Sequence, residues 1–195
     1  CYAINSNVTI RGGYPADATG TDVPSEPQKY QTIFDGDILG DDVIKESADE
    51  EGFITVEREK IDDNTTAMFL CLAQEDLNFT LEGAVVKNTT SYALNILNNG
   101  KHVTLLNDSF VYNRCVVNVT GEAGFVDANR CSFEKNLGNV LDLPNVDTLL
   151  MEGVLMIQNQ SLGQLPYQVE KGYVSMNNVK AEKNKSGIRF YHYDV

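Results

Sequence analysis

Asp35, Asp37, Asp41 and Asp42 put four carboxylates into one short stretch of this chain. Oxygen ligands at near-alternate positions suit calcium, although the spacing is not that of the EF-hand loop. Clustered aspartates are also the acid and base of glycoside hydrolases. A plainer chemistry competes with both. In Asp35-Gly36-Asp37 a carboxylate can bond its own backbone while the glycine supplies a positive φ, which makes a turn. Calcium held by Asp35, Asp37, Asp41 and Asp42 is therefore an expectation that stands beside a purely structural turn.

The other reactive residue types are scattered. His102 and His192 each stand alone, no Ser/His/Asp or Cys/His arrangement is visible, and no glycine-rich loop could cradle a phosphate. Both histidines read as surface or packing residues. Arg114 and Arg130 lack the carboxylate cluster that a lyase-type site would set beside its base. Cys1, Cys71, Cys115 and Cys131 show neither a CxxC pair nor Cys–His zinc spacing. The last three sit in apolar or small-residue contexts and read as buried free thiols. Cys1 is a candidate lipid anchor, since the mature chain of a bacterial lipoprotein begins with cysteine. Strand-like Tyr2, Ile4, Val8 and Ile10 follow at once, so the chain reads as a piece of something longer.

Charge narrows the partners. A net charge of −13 and an isoelectric point near 4.4 disfavour nucleic acid and anionic membranes. The 42% apolar content is ample for a core. No run of 18 apolar residues exists, so no membrane-spanning helix is expected.

The elements that position these residues come from a repeat. Ile61-Asp62-Asp63-Asn64, Val85-Val86-Lys87-Asn88, Phe110-Val111-Tyr112-Asn113, Phe133-Glu134-Lys135-Asn136, Met156-Ile157-Gln158-Asn159 and Ala181-Glu182-Lys183-Asn184 share one frame. Their asparagines lie 24, 25, 23, 23 and 25 residues apart. A self-similar period of that size marks a solenoid. A small residue follows each asparagine by two (Thr66, Thr90, Cys115, Gly138, Ser161, Ser186), and the surrounding apolar residues alternate, as in Met68, Leu70 and Leu72. Period-two alternation means half-buried strands. The expected fold is all-β, a right-handed parallel β-helix with coils of about 23–25 residues. Asn64, Asn88, Asn113, Asn136, Asn159 and Asn184 are expected to stack as a ladder, at the strand spacing of about 4.8 Å. The Asn-x-Ser/Thr triplets among them follow from that ladder rather than from glycosylation.

The organisation is one β-helix over 1–195. Residues 1–60 form divergent N-terminal coils with an insertion, and 61–195 form regular coils, the last of them a candidate cap. Within 41–60, Asp41, Asp42, Glu46, Asp49, Glu50 and Glu51 suggest a loop or short helix projecting from an early coil, followed by a strand at Phe53–Val56. Such insertions are often where a solenoid binds.

The opening phrase, from Ser6-Asn7-Val8-Thr9-Ile10-Arg11-Gly12-Gly13 to Tyr30-Gln31-Thr32-Ile33-Phe34-Asp35-Gly36-Asp37, resembles the first module of large surface proteins of Bacteroidetes-type bacteria. Phe110-Val111-Tyr112-Asn113 and Phe133-Glu134-Lys135-Asn136 are similar to the FxxN signature of polymorphic outer membrane proteins. The companion glycine-glycine-apolar motif is degenerate, with Gly138-Asn139-Val140 and Ser186-Gly187-Ile188 as its nearest forms. The resemblance implies a pectate-lyase-like fold and a secreted or outer-membrane surface location. It also implies adhesive or glycan contacts, and no particular reaction. Two functions follow as expectations. One is a non-catalytic surface module for adhesion or structural display, with glycans or host and envelope proteins as partners. The other is a carbohydrate-active or glycan-binding protein using a groove on the helix.

Overall fold

The computed structural model describes residues 1–19, 23–72, 77–97, 100–120, 123–144, 146–167 and 173–192. Strands come in threes. The first coil holds β1 (Tyr2–Ile4), β2 (Val8–Arg11) and β3 (Thr32–Asp35). An antiparallel hairpin of β4 (Val43–Ala48) and β5 (Ile54–Glu59) follows. The second coil is β6 (Ala67–Cys71), β7 (Leu77–Glu82) and β8 (Ala84–Lys87). The third is β9 (Tyr92–Ile96), β10 (Gly100–Leu106) and β11 (Ser109–Val111). The fourth is β12 (Cys115–Val119), β13 (Ala123–Asn129) and β14 (Ser132–Glu134). The fifth is β15 (Asn139–Asp142), β16 (Val146–Glu152) and β17 (Leu155–Ile157). The sixth is β18 (Ser161–Tyr167), β19 (Tyr173–Asn177) and β20 (Lys180–Glu182), after which β21 (Ile188–His192) continues the stack.

Equivalent strands pair in parallel, giving one seven-stranded and two six-stranded sheets. This is a parallel β-helix.

Alternation along each strand sends every second residue inward, and register stacks those residues into columns. Phe69, Leu94, Val117 and Leu141 form one such column. Phe34, Val86, Phe110, Phe133, Met156 and Ala181 form another. Phe110 and Phe133 have no solvent exposure and stack with ring centroids 5.2 Å apart. Burial of such a ring contributes about 2–3 kcal/mol. The sequence frame is off by one residue in the second coil, where Val86 rather than Val85 is the inward residue, and Ile61 belongs to no column because Phe34 serves the first coil.

In the second to sixth coils, two corners are each turned by a single residue of left-handed conformation. The first corner uses Gly83, Asn107, Arg130, Gly153 and Asn178. The second uses Asn88, Tyr112, Lys135, Gln158 and Lys183, with φ between 52° and 61°. Each non-glycine residue there costs about 1–2 kcal/mol, so something at the corner must offset the strain.

Candidate functional site

The offset at the second corner is the ladder, which sits one residue after the strained position. The backbone N–H and the Nδ2 of Asn113 both donate to Oδ1 of Asn136, at 3.0 and 3.3 Å. Asn136 does the same to Asn159 at 3.0 and 2.9 Å, and Asn159 to Asn184 at 2.8 and 3.0 Å. Each Nδ2 also reaches back one coil to the carbonyl of the inward residue: Asn136 to Phe110, Asn159 to Phe133, Asn184 to Met156. Every ladder amide therefore satisfies turn groups in two neighbouring coils, which buried polar atoms require.

Asn88 and Asn64 are not rungs. Thr89 takes the ladder position in the second coil, donating through its backbone N–H and Oγ1 to Oδ1 of Asn113 at 3.3 and 3.0 Å. The backbone bonds agree: Leu137, Gln160 and Lys185 donate to the carbonyls of Asn113, Asn136 and Asn159, Arg114 donates to Thr89, and Thr90 donates to Thr65. Asn88 instead occupies the left-handed column, with φ 61°, and its Nδ2 donates to Asp35 at 2.9 Å. Asparagine suits either role, so the residue type alone did not separate them.

The insertion of residues 41–60 is not a projecting loop or helix. Its hairpin lies back along the stack, over the left-handed column. One hairpin face carries the cross-strand partners Ile44 and Arg58, Glu46 and Val56, and Ala48 and Ile54. Arg58 donates from Nη1 to the carbonyls of Thr89 (3.0 Å) and Tyr112 (3.1 Å). From Nη2 it donates to the carbonyl of Asn88 (2.9 Å) and to Oδ2 of Asp42 (2.7 Å). The side chains of Arg58 and Asp42 are only 4% and 3% exposed. Asn64 completes the knot, its Nδ2 donating to Asp42 and to the carbonyl of Asn88.

Further along the stack, Glu46 accepts from the Tyr112 hydroxyl at 2.6 Å and from Nζ of Lys135 at 2.8 Å. The lysine and tyrosine hydrogen bonds hold the Glu46 carboxyl below its usual range, against a smaller desolvation effect. The same glutamate raises Lys135, while burial and then Glu46 raise Tyr112. At the far end Lys185 donates to Oγ1 of Thr55 at 2.5 Å. A six-residue strand spans about 20 Å, and four coil steps span about 19 Å. The hairpin is thus long enough to run from the second coil to the sixth, and its contacts do so.

The four aspartates of the acidic stretch part company. Asp35 pairs with Lys87 at 2.8 Å and Asp42 faces Arg58. Asp37 and Asp41 remain together and gain Asp63, the three offering oxygens within 4.8 Å of one another. The oxygens of Asp37 already accept backbone N–H groups from Gly40, Asp41 and Asp42. Desolvation pushes its carboxyl up, but those bonds and the Arg58 charge outweigh it and leave it lowered. Asp63 Oδ2 accepts from the N–H of Leu39. This is the turn chemistry, with the carboxylates used as loop fasteners.

All four cysteines are free thiols, Cys71 and Cys131 buried and Cys1 exposed. His102 packs on Phe125 with centroids 4.6 Å apart; the His192 side chain lies outside the described residues. Comparison with protein-family models, with characterised proteins and with solved structures returns no match.

Arg58, Asp63, Thr89, Tyr112 and Lys135 escaped sequence reasoning. The alternation Ile54, Val56, Arg58 was a legible signal for an inward-facing arginine on a strand, once a hairpin rather than a loop is expected there.

Proposed function

We propose that this chain is a non-catalytic β-helix module of a bacterial surface or secreted protein, serving structural display and adhesion. The observation that carries the reading is the hairpin fastened along the stack. Solenoid coils touch only their neighbours and open one interface at a time. A strap bonded to the second, third, fourth and sixth coils resists that opening, which suits a rod that bears load. The loop following β3 presents Ile38 and Leu39 at 70% and 74% exposure, on a turn held by Asp37 and Asp63. A rigid turn with an apolar tip is suited to contacting a partner.

The test has two arms. Incubation with plant, host and bacterial polysaccharides, with and without calcium, is followed by mass spectrometry for cleavage products; none are expected, and any would overturn the non-catalytic reading. Binding of the protein to host-cell and envelope surfaces is compared with that of the Ile38→Asp, Leu39→Asp double variant. Adhesion is expected to fall at least tenfold in the variant, and equal binding would remove the tip from the account.

A further inference from the structure

We infer that the strap is a graded clasp: its tip half releases reversibly from the fourth to sixth coils as ionic strength rises, while its root stays locked on the second and third. β4 and β5 form a sheet of their own, and among the described residues no backbone hydrogen bond joins them to a coil strand. The hairpin is also complete within itself. Six cross-strand pairs run its length. Oδ1 of Asp49 accepts from the N–H groups of Glu51 (3.1 Å) and Phe53 (2.8 Å) and closes the tip, and Lys45 pairs with Glu59. None of these bonds is lost when the hairpin swings away from the stack, so it can move as one body.

What holds it down differs along its length. At the root, Arg58 and Asp42 are almost wholly buried, and Arg58 bonds three coil carbonyls as well as Asp42. A shielded pair of this kind is screened little by salt. Beyond Arg58, the described side-chain bonds to the coils are those of Glu46 with Tyr112 and Lys135 and that of Thr55 with Lys185, all at exposed positions. Apolar packing does not make up the difference. Ile44, Ile54 and Val56 are only half-buried, none belongs to the buried core, and Ala48 is exposed.

Charge points the same way. The tip carries Asp49, Glu50 and Glu51, and the coil beneath it carries Lys183 and Lys185. A Cβ placed on Gly52 would lie 3.0 Å from Nζ of Lys183, so the acidic turn sits against the basic corner. Attraction between exposed charges weakens steeply with salt, and a segment held this way belongs to the low-stability end of local opening. Docked, the clasp ties the sixth coil to the second. Released, the later coils open one interface at a time, and the stiffness of the rod follows the ionic strength around it. The inference rests on the load-bearing reading of the strap and adds its regulation.

The experiment is pulsed electron spin resonance on the full chain with Cys1→Ser and Cys115→Ser, carrying one of two nitroxide pairs. Glu50→Cys with Glu182→Cys reports the tip, and Glu57→Cys with Arg114→Cys reports the root. Sodium chloride is raised from about 0.01 M to about 1 M, which shortens the Debye length from about 30 Å to about 3 Å. The tip pair is expected to be mostly short at low salt, with a long-distance fraction that grows at least threefold at high salt, while the root pair stays unchanged. Glu46→Ala should give the same growth at low salt. A tip pair short under every condition, or a root that opens together with the tip, would overturn the clasp and leave the load-bearing strap intact. A tip pair already long at low salt would overturn both.

Discussion

The guanidinium of Arg58 donates to the carbonyl oxygen of Tyr112 at 3.1 Å, although 54 residues separate the two in sequence. Tyr112 is one of the left-handed corner residues, so its carbonyl is turned away from the regular sheet bonds. One buried cation thus collects the carbonyls of the Asn88, Thr89 and Tyr112 corners, where the asparagine ladder has run out. Thr89 closes the ladder from inside, and Arg58 closes the corner from outside.

Removing that cation should be costly. Arg58→Met leaves Asp42 buried without its counter-charge and takes a donor from three carbonyls, of which those of Asn88 and Thr89 keep Asn64 and Arg114, for a loss of about 3–5 kcal/mol. Replacing both, as in Arg58→Met with Asp42→Leu, should cost less than the two single changes summed. Urea unfolding of the four proteins measures this, and an Arg58→Met loss under about 1 kcal/mol would show that the knot does not bear on stability.

The ladder has a sharper test in its register. Asn136→Leu takes the acceptor from the backbone N–H and from one Nδ2–H of Asn113, whose Nδ2 keeps the Val86 carbonyl, and removes a donor from the carbonyl of Phe110, each about 1–3 kcal/mol if left dry. Asn88→Gly, one of the six sequence-matched asparagines, should be far milder, because glycine relieves the left-handed strain by about 1 kcal/mol while one bond to Asp35 is lost. Equal melting temperatures for the two variants would place Asn88 back among the rungs.

Acid should loosen the strap. Glu46 has a folded-state pKa below its ordinary 4.5. A lowered carboxyl contributes stability above the unfolded value, and that contribution disappears as pH falls through the folded value. The pair is part-exposed, with side chains 26% and 31% accessible, so its worth is modest, about 0.5–1 kcal/mol. Exchange protection of β4 and β5, taken relative to the intrinsic amide rate at each pH, should therefore fall below pH 4.5 in the native chain and be lower at neutral pH in Glu46→Gln. Exchange in β4 and β5 indifferent to both changes would mean the pair holds nothing.

Asp108 should act with the opposite sign. Burial pushes its carboxyl up to about 7, against the N–H groups of Ala84, Leu106 and Gly83. A raised acid contributes its full stability below the unfolded value of 3.8 and loses it as pH rises to about 7. The loss is on the order of 4 kcal/mol. Asp108→Asn lacks the titration, so its unfolding midpoint should change less between those two pH values than that of the native chain. Parallel pH profiles would contradict the raised value.

What was legible in the sequence was the part that repeats. Asn113, Asn136, Asn159 and Asn184 stack where their spacing puts them, because each is flanked by the same inward apolar residue and the same strained corner. The frame slipped at Asn88 because a threonine can imitate a rung with its hydroxyl, while asparagine is also a good left-handed residue. The acidic stretch was legible only in part, for another reason. Asp37 and Asp41 stay near each other through local turns, but Asp63 is returned to them, and Asp42 is set against Arg58, by the pairing of β4 with β5. Glu46 and Lys135 are 89 residues apart, and no local pattern announces such a pair. Charge in β4 and β5 looked like solvent exposure when part of it was the means of attachment.

The hairpin lying along the stack is tested most directly by carbodiimide cross-linking of the native chain, read by peptide mass spectrometry. This reagent joins only carboxylates and amines already in contact. An amide between Glu46 and Lys135 is expected, since their charged atoms are 2.8 Å apart, alongside a Lys45–Glu59 product within the hairpin as internal control. Recovery of the Lys45–Glu59 product with no Glu46–Lys135 product would mean that the hairpin stands away from the coils, and the strap would fall with it.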